Sequence, residues 1–184
     1  KDVQSEFGPI VDLYKKDNWD IEHITSIKES IPQKPDSRRD WLADVQLYID
    51  DTLPDANVLK SRIKKCNTDN EQEFNDLFED IVAHFNYYVK SDDEINGLSN
   101  LTLLDSHTNR SYKNAVFPIK RKTIIDRDKS GSFIPIGTKN VFLKYFSEYP
   151  PRISFWTQDD RNKYDEDLRN ILNEYMEVNN DWYY

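Results

Sequence analysis

The sequence predicts a mostly helical α+β domain with few strands, on three observations. Apolar residues between Asn70 and Lys90 recur at steps of three and four, the spacing of a helix buried along one face. Two short runs, 19–24 and 100–105, gather large apolar residues in the β manner. The 184 residues are 13% aromatic, with 11 Tyr, 9 Phe and 4 Trp, which suits a packed core and not a disordered chain.

Residues 19–24 read Trp-Asp-Ile-Glu-His-Ile, a β-like run in which large apolar and acidic positions alternate. Pro32, Pro35, Asp36 and Ser37 then break the pattern. From Asp36 or Ser37 as a cap, Trp41, Leu42, Val45, Tyr48 and Ile49 recur at helical spacing until Pro54. The longer helix over about 70–90 carries Phe74, Leu77, Phe78, Ile81, Val82, Phe85, Tyr88 and Val89, and Asp92, Asp93, Asn96 and Gly97 end it. Asn100 to Asp105, Asn-Leu-Thr-Leu-Leu-Asp, reads as a second short strand. The chain then turns basic and helical, with Pro118 where a first turn tolerates it. Ser130-Gly131-Ser132 signals a turn, and Thr138 is placed to cap a helix carrying Val141, Phe142, Tyr145 and Phe146. A last helix over about 159–178 is expected to bury Leu168, Ile171, Leu172, Tyr175 and Met176.

Composition removes several classes of function. Cys66 is the only cysteine, which excludes an internal disulfide and a cysteine-based zinc site and fits a reducing, cytoplasmic setting. With 4 Gly the chain has no phosphate-cradling glycine loop. No apolar run approaches the roughly 20 residues that cross a bilayer, so no membrane partner is expected. The start Lys1-Asp2-Val3-Gln4 resembles neither a signal peptide nor an initiator sequence. No repeat or linker divides residues 1–184, and the chain reads as one domain cut from a longer protein.

The net charge of −9 and a pI near 4.9 make a poor general nucleic-acid binder. The charge is unevenly placed. Residues 109–129 hold seven basic residues, Arg110, Lys113, Lys120, Arg121, Lys122, Arg127 and Lys129, against Asp126 and Asp128. Such a segment either attracts an anion or forms a solvated basic face.

Three histidines limit the search for a catalytic imidazole. His84 lies at the apolar edge of the long helix, a structural place, and His107 lies in an expected turn. His23 differs, because it follows Glu22 at the end of the first strand. Further on come Ser99-Asn100-Leu101-Thr102-Leu103-Leu104, then Thr108-Asn109-Arg110, and then Asn114. The order is acidic residue, His, a strand opened by Asn, and an Asn in the helix that follows.

These residues resemble the HNH endonuclease motif, a β-hairpin and helix clasping one metal ion in the ββα-metal fold. The likeness is closest to the HNH domain at the C-terminal end of GmrSD-type restriction proteins. It rests on Trp19 to Ile24, Asn100 to Arg121 and, more loosely, Phe133 to Phe146, about a third of the chain. It implies a ββα core whose strands are separated by a helical insertion over about 25–99, followed by C-terminal helices. It further implies a metal-dependent DNA endonuclease of a prokaryotic restriction or anti-phage defence protein, with an N-terminal ParB-like nucleotide-binding domain as partner. Three features depart from the family pattern: Glu22 stands where Asp is more usual, Ser99 where Gly is frequent, and 76 residues, 24 through 99, separate His23 from Asn100.

Phosphodiester cleavage explains the residue types. The attacking water must lose a proton to a base working near neutrality, for which imidazole is suited. The leaving 3′ oxygen gains charge that a hard divalent cation on oxygen ligands can neutralise. The resemblance therefore implies His23 as general base, Asn100 holding the His23 loop, and Glu22 with Asn109 binding one Mg²⁺ or Mn²⁺, with a 5′ phosphate left on the product. Asn114, five residues after Asn109, would face elsewhere on a helix. Arg110, Lys113, Lys120 and Arg121 would contact the DNA backbone. Plainer readings stand beside these: Asn100 as a strand start, Asn109 as a helix cap, Glu22-His23 as a surface pair. As functions, a scaffold that binds without cutting and an acidic DNA mimic are the alternatives.

Overall fold

A computed structural model describes residues 18–25, 30–89, 96–108 and 115–180, with residues 175–180 as backbone only. Strand β1 (Trp19–His23) is followed by helices α1 (Pro35–Val45), α2 (Ala56–Lys65) and α3 (Glu71–Phe85), then by strand β2 (Leu101–Asp105). Helices α4 (Phe117–Lys129), α5 (Ile136–Phe142) and α6 (Gln158–Asn180) complete the order. The fold is α+β and mostly helical. Its one described sheet is the antiparallel pair β1–β2, in the register Trp19 with Asp105, Glu22 with Thr102 and His23 with Leu101. Two runs far apart in sequence thus close into a hairpin. Among the described residues no helix is long and apolar enough to cross a membrane.

The core is two clusters. The first joins α1, α2 and α3 through Leu42, Val45, Leu59, Ile63, Phe74, Leu77, Phe78 and Ile81, with Val116 and Phe155 as visitors from the C-terminal half. The second gathers Ile24, Leu104, Phe117, Ile124, Val141, Phe142, Trp156 and Tyr164 around the hairpin. Ile119 on α4 packs against both. Fully burying side chains of this size stabilises by roughly 1.5–3 kcal/mol each before the entropy of ordering is set against it.

The helices differ from the expected ones at several points. Helix α1 is capped at Lys34 without a side-chain bond, not by Asp36 or Ser37, and it ends at Val45, where a 3₁₀ turn (Gln46–Tyr48) follows in place of a helix running to Pro54. The insertion contains a helix, α2, that periodicity passed over, because only Ala56, Leu59 and Ile63 are apolar and buried among charged neighbours. α3 starts where expected, with the Asn70 side chain accepting from the Glu73 N–H, but ends at Phe85 in a turn rather than near Lys90. Asp92 and Asp93, read as its terminators, lie outside the described residues. Thr138 does not cap α5; it lies inside the helix, buried, its hydroxyl donating to the Leu103 carbonyl and bonded to Thr102 Oγ1 at 2.8 Å. Finally, Ile171 and Leu172 are 57% and 55% exposed, so α6 does not bury all of its apolar stripe.

Candidate active site at the end of the hairpin

A strand sends successive side chains to opposite faces. On β1 this separates the two residues that sequence places side by side. Glu22 faces inward and is 5% exposed, whereas Ile21, on the other face, is 68% exposed. His23 shares that outward face and is half-buried, with Nε2 at 3.1 Å from Asn96 Oδ1. An amide oxygen can only accept, so in this contact Nε2 is the donor.

The chain beyond His23 is clamped. The Ile24 N–H donates to the Asn100 carbonyl at 2.8 Å. The Asn100 side chain, 0% exposed, accepts from the Thr25 N–H and hydroxyl at 3.0 Å each and donates to the Thr25 carbonyl at 2.8 Å. Asn100 thus ties the chain at Ile24 and Thr25, the two residues after His23. Arg161 on α6, 1% exposed, donates to Thr25 Oγ1 at 2.7 Å, and Trp156 Nε1 donates to the Ser99 carbonyl at 3.0 Å. Polar groups with no route to water must be bonded or destabilise the fold, and here side chains from distant parts of the chain bond one another.

Behind the clamp, Lys144 takes the left-handed turn after α5, with φ at 64°. Its ammonium lies 5.3 and 5.1 Å from the ring centres of Phe117 and Trp156 and is bonded to the Phe155 carbonyl and to Asp160. Burial pulls it below the ordinary lysine value, although Asp160 opposes the shift. Asp160 also accepts from the Thr157 N–H at 2.8 Å, which closes the first turn of α6.

The expected DNA-contacting and metal-binding residues fare differently. Lys120 is not on a DNA-facing surface: it is 0% exposed, its Nζ 2.5 Å from Glu22 Oε1 and 2.6 Å from the His23 carbonyl. Arg121 is half-buried, its Nε enclosed without a hydrogen-bond partner, and burial holds its guanidinium below the ordinary arginine value. Lys122 is paired with Asp44 at 3.3 Å. The basic segment therefore does not present its described cations as one face. Asn109, Arg110, Lys113 and Asn114 lie outside the described residues. His84 is a structural residue, 1% exposed, with Nδ1 2.9 Å from the Asp55 carboxylate and Nε2 accepting from the Asp50 N–H at 3.2 Å.

The divalent ion that the resemblance implies finds a poor fit at Glu22. That carboxylate already faces a cation at 2.5 Å, and among the described residues no group of three or more His, Cys, Asp and Glu side chains could hold a metal. Sequence reading also passed over Lys120 as an ion partner and Arg161 altogether. Both carried a signal. Phe117, Lys120 and Ile124 follow at steps of three and four, as do Arg161, Tyr164 and Leu168, so each cation occupies a position on the apolar face of its helix.

No protein-family model matches this chain, and no curated protein or solved structure matches it either.

Proposed function

We propose that the domain is an HNH-type DNA endonuclease in which His23 is the general base. The observation that carries this reading is the support of one outward-facing imidazole: its backbone is tied to β2 and to Lys120, and the next two residues are clamped by Asn100. A base must be held in place to act on a bound phosphodiester, and a rigid strand end does that better than a loop. His23 Nδ1, the ring nitrogen that Asn96 does not engage, is the atom that would take the proton from the attacking water. A divalent cation, Mg²⁺ or Mn²⁺, would have to be held by oxygen ligands other than Glu22, whose carboxylate is paired with Lys120. The setting that fits such an activity is a prokaryotic restriction or defence protein in the cytoplasm, with DNA as substrate and a ParB-like nucleotide-binding domain upstream.

One observation favours a second reading, a scaffold that binds nucleic acid or a regulatory partner without cutting: the carboxylate expected to hold the metal is already paired with Lys120. Plasmid nicking with Mg²⁺ or Mn²⁺ separates the two. The nuclease reading expects nicking by the wild type and a loss of about 100-fold or more in His23→Ala, with DNA affinity little changed. Equal rates in both proteins would remove His23 from the chemistry, and no metal-stimulated cleavage by either would leave the second reading.

A further inference from the structure

We infer that Lys120 is the positioning residue for His23 and that Glu22 is its counter-ion rather than a metal ligand; the inference deepens the nuclease reading and rests on His23 being the reactive group. A lysine ammonium buried to 0% exposure must be compensated. Lys120 is compensated by two successive residues of β1, through the side chain of one and the main chain of the next: Glu22 Oε1 at 2.5 Å and the His23 carbonyl at 2.6 Å. A compact ammonium with three donors can satisfy both at once where a planar guanidinium would need more room.

The geometry couples the inner face of the hairpin to the outer one. The His23 backbone is held through its carbonyl by α4, through the ladder by Leu101, and through the next two residues by Asn100. Two separate parts of the chain, α4 and the segment that opens β2, therefore hold this strand end, while the His23 imidazole faces outward. Glu22 completes this support by holding the ammonium in place. A divalent cation on the same carboxylate would sit beside that ammonium in a site from which water is largely excluded, where like charges repel far more strongly than in bulk water. Glu22 cannot serve both cations, and the one that the structure gives it is Lys120.

The test uses the full chain. Lys120→Met alone leaves a buried carboxylate without a partner and is at risk of not folding, so the informative protein is Glu22→Gln/Lys120→Met, which removes both charges at similar volume. In this double variant the NMR signals of the His23 ring should move or split, and amide exchange at Ile24 and Thr25 should quicken at least about 10-fold, with Lys120→Arg falling between it and the wild type. Unchanged His23 signals in a folded double variant would overturn the positioning role. Mn²⁺ titration of the same double variant, which lacks the Glu22 carboxylate but leaves no unpaired charge, decides the counter-ion role: affinity within about twofold of wild type is expected, and a loss of 10-fold or more, the ordinary result of removing a ligand, would overturn it. In nicking assays kcat should fall about 10- to 100-fold in the double variant, with KM for DNA unchanged and partial recovery in Lys120→Arg. A wild-type rate in the double variant would refute the inference. Absence of nicking in the wild type refutes the nuclease reading alone, and the NMR arm still decides what Lys120 does.

Discussion

The helical insertion and the hairpin side of the molecule use buried polar groups in opposite ways. In the insertion such groups are bonded within the insertion: Arg38 donates to the Pro32 and Thr68 carbonyls, and His84 is held by Asp55 and Asp50. Around the hairpin the bonds run between distant segments, from Lys120 to Glu22, from Asn100 to Thr25, from Arg161 to Thr25 and from Trp156 to Ser99. The first region is local helices packed by apolar faces, and polar bonds finish it. In the second, polar bonds decide which segments meet. The candidate site sits in the second, which is where a chemically exact arrangement of side chains is required and where loop closure between distant segments must be offset.

The largest effect on the hairpin side is expected at Asp160. Lys144 and Asp160 form a buried pair with side chains only 1% and 4% exposed. Removing one charge of such a pair leaves the other uncompensated, so Asp160→Asn should destabilise the fold by about 3–5 kcal/mol at neutral pH in urea denaturation. The acid limb supplies a second measurement. Burial alone would raise the Asp160 carboxyl, but the Lys144 ammonium and hydrogen bonds from Lys144, Ser147 and Thr157 outweigh it and hold the carboxyl below its ordinary value. A depressed carboxyl stabilises the fold at pH values above the ordinary carboxylate value of about 3.9, and that contribution is lost as pH falls through the lower folded value. The melting temperature of the wild type should therefore fall more steeply than that of Asp160→Asn below about pH 4. Parallel acid limbs would mean that the pair contributes nothing net to the hairpin side.

A somewhat smaller effect is expected at Asn100. Replacing it with Ala strips the partners from the Thr25 N–H and carbonyl, both in a buried setting, and should cost about 2–4 kcal/mol. Phe74→Ala, in the insertion core at 0% exposure, should cost a similar amount, about 3–5 kcal/mol, through the cavity it leaves. Amide exchange should tell the two apart. Asn100→Ala should expose Ile24 and Thr25 while α3 stays protected, and Phe74→Ala should loosen α1 to α3 first. The same exchange pattern in both variants would mean that the two regions open as one unit and that the contrast is only descriptive.

How much of this could be read in the sequence follows the same division. The run from Phe74 to Phe85 repeats its apolar residues at helical spacing, so α3 and its buried face were legible. The two strands were legible as short β-like runs, and the placing of His23 beside a segment opened by Asn100 followed from the resemblance in residue order. What Glu22 and Lys120 do was not legible. Helical spacing puts Lys120 on the apolar face of its helix, but nothing in that pattern names a carboxylate 98 residues away as its partner. The strand alternation that turns Glu22 inward and His23 outward was available from the start, and it argues against treating adjacent residues as a joint site. Asn109, Arg110 and Lys113 lie outside the described residues and stay expectations of the motif.

The smallest expected effect tests the limit of pattern reading itself. Ile171 and Leu172 continue the apolar stripe of α6 from Tyr164 and Leu168, and by periodicity alone they belong to the core. In the structure Tyr164 is 6% exposed and inside the hairpin-side cluster, Leu168 packs at its margin, and Ile171 and Leu172 are more than half exposed. The stripe is the same along the helix; what changes is whether the hairpin-side cluster reaches it. Burial, not pattern, sets the energy, so Ile171→Ser with Leu172→Ser should shift stability by no more than about 0.5 kcal/mol per site, the ordinary range for exposed positions. Tyr164→Ala, about two turns earlier on the same stripe, should cost several times more, about 3 kcal/mol or above, since it opens a cavity beneath Trp156 and Phe146. A loss of 2 kcal/mol or more in the double serine variant would show that this part of α6 is covered in solution, and the hairpin-side region would then extend along the helix toward its C-terminal end.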